Sequence, residues 1–194
     1  MDDRTTPALL ALAGGAGSGK TTLATRLADR TPGGVVVHLD HYFHTDPTMA
    51  PSVPSFDTPT RQVVDYSDPR AIDTGRLQQI LDRTTTASLL IVEGTFALAL
   101  PLVRHRARWS AYIEMPADLR LALKVLRKFE EGDPRTSLRG YLARGRDAHE
   151  AHVRPTKQYA DLVIDGTRPL EEQLGQLGGL VGQSSRTGDH PQWA

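Results

Sequence analysis

Short apolar runs alternate along the chain with stretches in which apolar residues recur every three or four positions. The runs are Ala8–Ala13, Val35–Leu39, Leu89–Val92, Ala111–Met115 and Leu162–Ile164. They are brief, several are rich in Val and Ile, and turn residues bound them, which predicts strands buried on both faces. The intervening patterns predict helices. Thr21–Arg30 sets Leu23 and Leu27 four apart and is followed by Gly33-Gly34. Asp73–Arg83 places Leu77, Ile80 and Leu81 on one face, with Asp73 or Thr74 as its cap. Ala117–Glu130 repeats apolar residues at Leu119, Ala122, Leu123, Leu126 and Phe129 before Gly132 closes it, and Ser137–His152 and Leu170–Leu180 read as helices too.

Such alternation predicts an α/β fold: a three-layer sandwich whose central parallel sheet, of about five strands, carries helices on both faces. One domain over residues 1–182 and a fraying polar tail at 183–194 are expected. The region His44–Pro69 stands apart, with five prolines and little periodicity. A connection of that length inside a compact domain is usually functional or disordered.

Composition narrows the function. Lys and Arg number 23 and Asp and Glu also 23, so no charge excess draws the chain to nucleic acid or an anionic membrane. The absence of cysteine excludes disulfides, thiolate catalysis and thiolate metal sites. No apolar run approaches a membrane span, and Asp2 and Asp3 spoil any likeness of the N-terminus to a secretion signal. A cytoplasmic protein is expected.

The chemistry is written first in Gly14-Gly15-Ala16-Gly17-Ser18-Gly19-Lys20-Thr21, followed by Thr22, which matches G-x-x-x-x-G-K-[ST] between a predicted strand and a predicted helix. Glycines let backbone N–H groups turn inward around phosphate at the positive end of a helix. Lys20 would bridge the β- and γ-phosphates, and the Thr21 hydroxyl would ligate Mg²⁺. Glu93 ends the strand Leu89–Val92 and would hold the water shell of that ion. Asp40 follows the second strand, where ligands of open parallel sheets bind. It reads as a general base toward an attacking hydroxyl, or else as a turn cap. His38, His41 and His44 surround it without the spacing of a tetrahedral metal site.

Together these residues resemble uridine kinase and its relatives among the P-loop small-molecule kinases, the superfamily that includes nicotinamide riboside kinase and phosphoribulokinase. The likeness continues through Ala117-Asp118-Leu119-Arg120-Leu121, through His149-Glu150, and through Pro155-Thr156-Lys157-Gln158-Tyr159-Ala160-Asp161-Leu162, covering roughly Ala8–Gly166. The resemblance implies the P-loop NTPase fold with a small helical lid at about 127–145. It implies ATP as co-substrate, Mg²⁺, and a small-molecule hydroxyl substrate. It further implies Asp40 as base, Tyr42 near the acceptor sugar and His149 at the substrate. The ribose-holding segment is either Tyr66 with Asp68 or Phe56 with Asp57. Relatives often assemble, so a homo-oligomer stays open.

Two departures bear on the substrate. Uridine kinases insert a uracil-reading hairpin before the Glu-Gly strand, but here Leu81 reaches Leu89 through seven residues. Nicotinamide riboside kinase similarly lacks that hairpin. The lid's arginine-rich run is replaced by Glu130-Glu131-Gly132-Asp133-Pro134, which leaves Arg127 and Arg135 to serve the transferring phosphate. The expected activity is transfer of the ATP γ-phosphoryl group to a primary hydroxyl, foremost the 5′-hydroxyl of a nucleoside. The alternatives are a nicotinamide riboside or other alcohol kinase, and a nucleotide-binding regulator without phosphotransfer.

Overall fold

The computed structural model describes residues 7–182, so the tail at 183–194 lies outside them. All five predicted strands form. They are β1 (Ala8–Gly14), β2 (Gly34–His38), β5 (Leu89–Glu93), β6 (Ala107–Glu114) and β7 (Leu162–Asp165), in the order β2-β5-β1-β6-β7 and parallel throughout. The central strand β1 is apolar along nearly its whole length because both of its faces are covered. On one face Leu10 and Leu12 meet Leu23 and Leu27 of helix α1 (Lys20–Asp29) and Leu174 and Leu177 of α7 (Leu170–Gly182). On the other, Leu9 and Ala11 meet Leu77 and Leu81 of α2 (Thr74–Arg83). Asp73 caps α2, accepting the Arg76 N–H at 2.9 Å.

The segment after β5 carries no periodic signal, yet Phe96, Ala97, Leu98, Leu100 and Val103 fill that second core layer, the last of them in the short helix α3 (Pro101–Arg104). The proline-rich region is not a bare loop either. Ser52–Pro54 (β3) pairs antiparallel with Gln62–Val64 (β4), a small hairpin separate from the main sheet. Prolines at 51, 54 and 59 hide it from a reading by alternation.

Helix α4 (Ala117–Glu131) is amphipathic as expected but turned about. Its apolar stripe faces outward, with Leu126 61% and Phe129 63% exposed. The opposite face, at i, i+4 and i+8, carries Arg120, Lys124 and Lys128 toward a cleft. Beyond Gly132 the chain is helical from 135 to 159. It starts as α5 (Arg135–Gly140), widens into a π turn at Tyr141–Gly145, passes through α6 (Arg146–Ala148) and widens again at His149–Val153. It then tightens into a 3₁₀ segment at Arg154–Tyr159. The Asp161 carboxylate accepts both the backbone N–H and the hydroxyl of Ser110, each at 2.7 Å, which clips the start of β7 onto β6.

Candidate active site

The turn between β1 and α1 is possible only with glycine. Gly17 and Gly19 sit at φ +84° and +85°, in the left-handed region. A methyl group on Gly17 would overlap the Arg120 backbone carbonyl, whereas one on Gly19 would meet open space. The loop is therefore pressed against α4 on one side and open on the other. Lys20 is only 7% exposed, and its ammonium has one acceptor among the described residues, the Gly15 carbonyl at 3.0 Å. Burial is the largest influence on it and pushes its pKa down to about 8, against the opposing fields of Glu93 and Asp40. The buried Ser18 hydroxyl of the same loop has no partner among the described residues. A buried, under-satisfied cation at a helix N-terminus suits an anionic phosphate.

Glu93 ends β5 and is 5% exposed. The Thr21 hydroxyl donates to its Oε1 at 3.0 Å, which leaves the hydroxyl lone pairs free for a cation. This oxygen pair fits a hard divalent ion completed by water and phosphate. Among the described residues no cluster of three or more His, Cys, Asp or Glu could hold a metal, and the three histidines diverge. His38 Nδ1 donates to Glu93 Oε1 at 2.7 Å, while His41 and His44 line the cleft.

That cleft measures about 910 Å³ and opens on Ala16 of the loop and on Asp40, which lies in a 3₁₀ turn (Leu39–Tyr42) directly after β2. Its α4 wall bears Arg120, Lys124, Arg127 and Lys128. Burial, then repulsion from Arg127 and Lys128, lowers the Lys124 pKa. Its far end is aromatic. Phe43 stands edge-on to Tyr66 at 5.1 Å and to Phe96 at 6.4 Å. Arg144, from the first π turn, lies over Phe56 of the hairpin at 5.1 Å and 3.7 Å from Asp65. His149 lines the cleft from the second π turn. Burial, then the Arg120 charge, pushes its pKa down to about 4.

The fold thus brings Ala16, Asp40, Phe56, Tyr66, Arg127 and His149 onto one cavity. It does not bring every expected residue there. Asp68 is turned to Arg70, which donates to it at 2.6 Å, and it caps the 3₁₀ turn Pro69–Ala71. Asp57 is exposed at the hairpin tip. Arg135 is paired with Asp133 at 2.7 Å and is not among the residues that line the cavity. Tyr42 packs into the core beneath Arg76 rather than lining the cleft. Arg120, Lys124 and Arg144 were not singled out by the sequence. For the first two the signal was present, as a basic face at helical spacing opposite the leucines.

A family model described as Phosphoribulokinase / Uridine kinase family matches residues 81–170, and one described as Zeta toxin matches residues 1–98. The second covers the phosphate loop and Asp40; the first covers Glu93, the α4 wall and the helices that follow. A uridine kinase of Deinococcus deserti is 30% identical over 210 aligned positions, covering 93% of this chain and 98% of that protein. Among solved structures, a possible uridine kinase from Bacillus stearothermophilus superimposes with a TM-score of 0.54 at 17% identity, over 83% of this chain and 90% of that one. Shikimate kinase from Bacteroides thetaiotaomicron gives 0.56 at 14% identity, over 91% and 99%. Both structures share the fold of a central parallel sheet flanked by helices. The chain belongs to the phosphoribulokinase / uridine kinase family, kinases that move a phosphoryl group from ATP to a hydroxyl of a small molecule.

Proposed function

We propose that this kinase phosphorylates the primary 5′-hydroxyl of a nucleoside or similar riboside, with Asp40 as the general base. The observation that carries this reading is the shared cavity: the phosphate loop and Asp40 open onto the same cleft, and Lys20 feels the charge of both Asp40 and Glu93. The β- and γ-phosphates would lie in the loop against Lys20. Thr21 and, through water, Glu93 would hold Mg²⁺, which would supply positive charge against the phosphates. Asp40 accepts the proton of the acceptor hydroxyl as that oxygen bonds to the γ-phosphorus and the bond to the ADP oxygen breaks. Arg120, Lys124 and Arg127 on α4 supply cations for the transferring group, the role expected of the lid at 127–145. Arg127 is the stronger of the two lid arginines for this role, because it lines the cleft and Arg135 does not, although each is paired with a nearby carboxylate.

The far end of the cleft suits a planar ring, with Tyr66, Phe43 and Phe56 available for stacking. One feature favours a second acceptor class. The connection from α2 to β5 is only the five residues 84–88, so the hairpin that reads uracil in uridine kinases has no counterpart there. A nicotinamide riboside or another non-pyrimidine riboside is the alternative acceptor.

The test is transfer of label from γ-labelled ATP to uridine, cytidine, nicotinamide riboside and 5′-deoxyuridine. The expected result is a labelled 5′-monophosphate from at least one riboside and none from the 5′-deoxy compound. Label appearing only in inorganic phosphate would refute the reading.

A further inference from the structure

The geometry points to His38 as a positioning residue for Glu93, setting the affinity of the metal site without touching metal or nucleotide. The inference rests on the reading that Thr21 and Glu93 hold the divalent ion.

His38 and Glu93 are the last residues of β2 and β5 and are direct partners in the parallel register. Side chains at paired positions of neighbouring strands leave the sheet on the same side, about 4.8 Å apart. That distance is bridged by the Nδ1–H hydrogen bond to Oε1 at 2.7 Å. The Glu93 side chain is 6% exposed and that of His38 30%, so the bond is largely shielded from water. A carboxylate accepts only, so the hydrogen lies on Nδ1. Thr21 donates to the same Oε1. Both donors therefore converge on one oxygen, and Oε2 takes none among the described residues.

The consequence is an ordered carboxylate with one oxygen anchored and the other free. Without His38, Glu93 would hold its rotamer through Thr21 alone, the very hydroxyl the cation must share. Partners that orient a ligating carboxylate typically contribute about 10–100-fold to metal affinity, and for one that acts through water the lower end of that range is expected. His38 itself does not line the cleft, and its ring stands edge-on to that of His41 at 5.4 Å.

The test measures Mn²⁺ binding by electron paramagnetic resonance in the ADP complex, beside calorimetric binding of ADP without metal. Four proteins are compared: wild type, His38→Phe, His38→Asn and Glu93→Gln. Phe keeps the ring and loses the donor, whereas the Asn side-chain amide restores an N–H near the Nδ1 position. The expected result is about 10-fold weaker Mn²⁺ binding in His38→Phe, most of it recovered in His38→Asn, with metal-free ADP binding unchanged in both. Glu93→Gln should weaken Mn²⁺ binding at least as much. Wild-type Mn²⁺ affinity in His38→Phe, with Glu93→Gln impaired, overturns the role of His38 and leaves the metal site standing. Equal loss of metal-free ADP binding in His38→Phe also overturns it, because the histidine would then support the fold rather than the ion. Wild-type affinity in Glu93→Gln overturns the metal reading, and the inference falls with it.

Discussion

Replacing Lys20 with Met should stabilise the nucleotide-free protein while abolishing ATP binding. The ammonium is 7% exposed, and burial brings its pKa from 10.5 down to about 8. At 1.36 kcal/mol per pKa unit, keeping that charge in the folded state at pH 7 costs about 3 kcal/mol. The folded pKa lies below the unfolded one, so the unfolded chain binds the extra proton between about pH 8 and 10.5, and wild-type stability rises with pH in that window. Met removes both the cost and the pH dependence. Relief of the buried charge alone puts Met ahead, in urea denaturation of the two nucleotide-free proteins, by about 3 kcal/mol at pH 7 and by about 1 kcal/mol at pH 9.5. Loss of the single hydrogen bond to the Gly15 carbonyl trims both figures by about 1 kcal/mol without changing their difference. A wild type more stable than the variant at pH 7, or a gap that does not shrink at pH 9.5, would refute the reasoning.

Asp40→Asn should lower kcat by about 10²–10⁴ and leave the KM for ATP within a small factor, read by steady-state kinetics on the accepted riboside. Gly17→Ala should cost about 1–3 kcal/mol for a left-handed φ alone, and the overlap with the Arg120 carbonyl adds to that. Denaturation and nucleotide titration should both register it. His149, held near 4, should remain neutral down to about pH 5 by NMR. Its folded pKa lies below 6.5, so stability should fall as pH drops from 6.5 toward 4, and His149→Gln should remove that part of the decline. On α4, Leu126→Gln should change stability by less than about 0.5 kcal/mol, whereas Leu98→Ala, fully buried, should cost about 2–5 kcal/mol.

The strands were legible because their burial on both faces forces continuous apolar runs, and the phosphate loop because its turn admits little but glycine. The lining of the cleft was less so. Phe56 and Tyr66 reach it through a hairpin of two three-residue strands whose prolines erase the alternation that would betray it. Asp68 matched a family pattern, yet a neighbouring arginine claimed its carboxylate, an event of local geometry that spacing does not encode. The α4 leucines illustrate the opposite failure. Periodicity shows that a helix has two faces but not which one meets the rest of the molecule. Here the basic face turns inward because it borders a cleft rather than a core. His38 was weighed as one of three histidines along the chain, while its partner Glu93 sits 55 positions away across a strand pair.

A crystal structure of the enzyme with a non-hydrolysable ATP analogue, Mg²⁺ and the accepted riboside tests the central claim most directly. The account predicts the acceptor hydroxyl about 2.6–3.2 Å from an Asp40 carboxylate oxygen. It also predicts that hydroxyl about 3–3.5 Å from the γ-phosphorus, in line with the bond to be broken. A riboside seated elsewhere, or its hydroxyl paired with a group other than Asp40 while the phosphates occupy the loop, would contradict it.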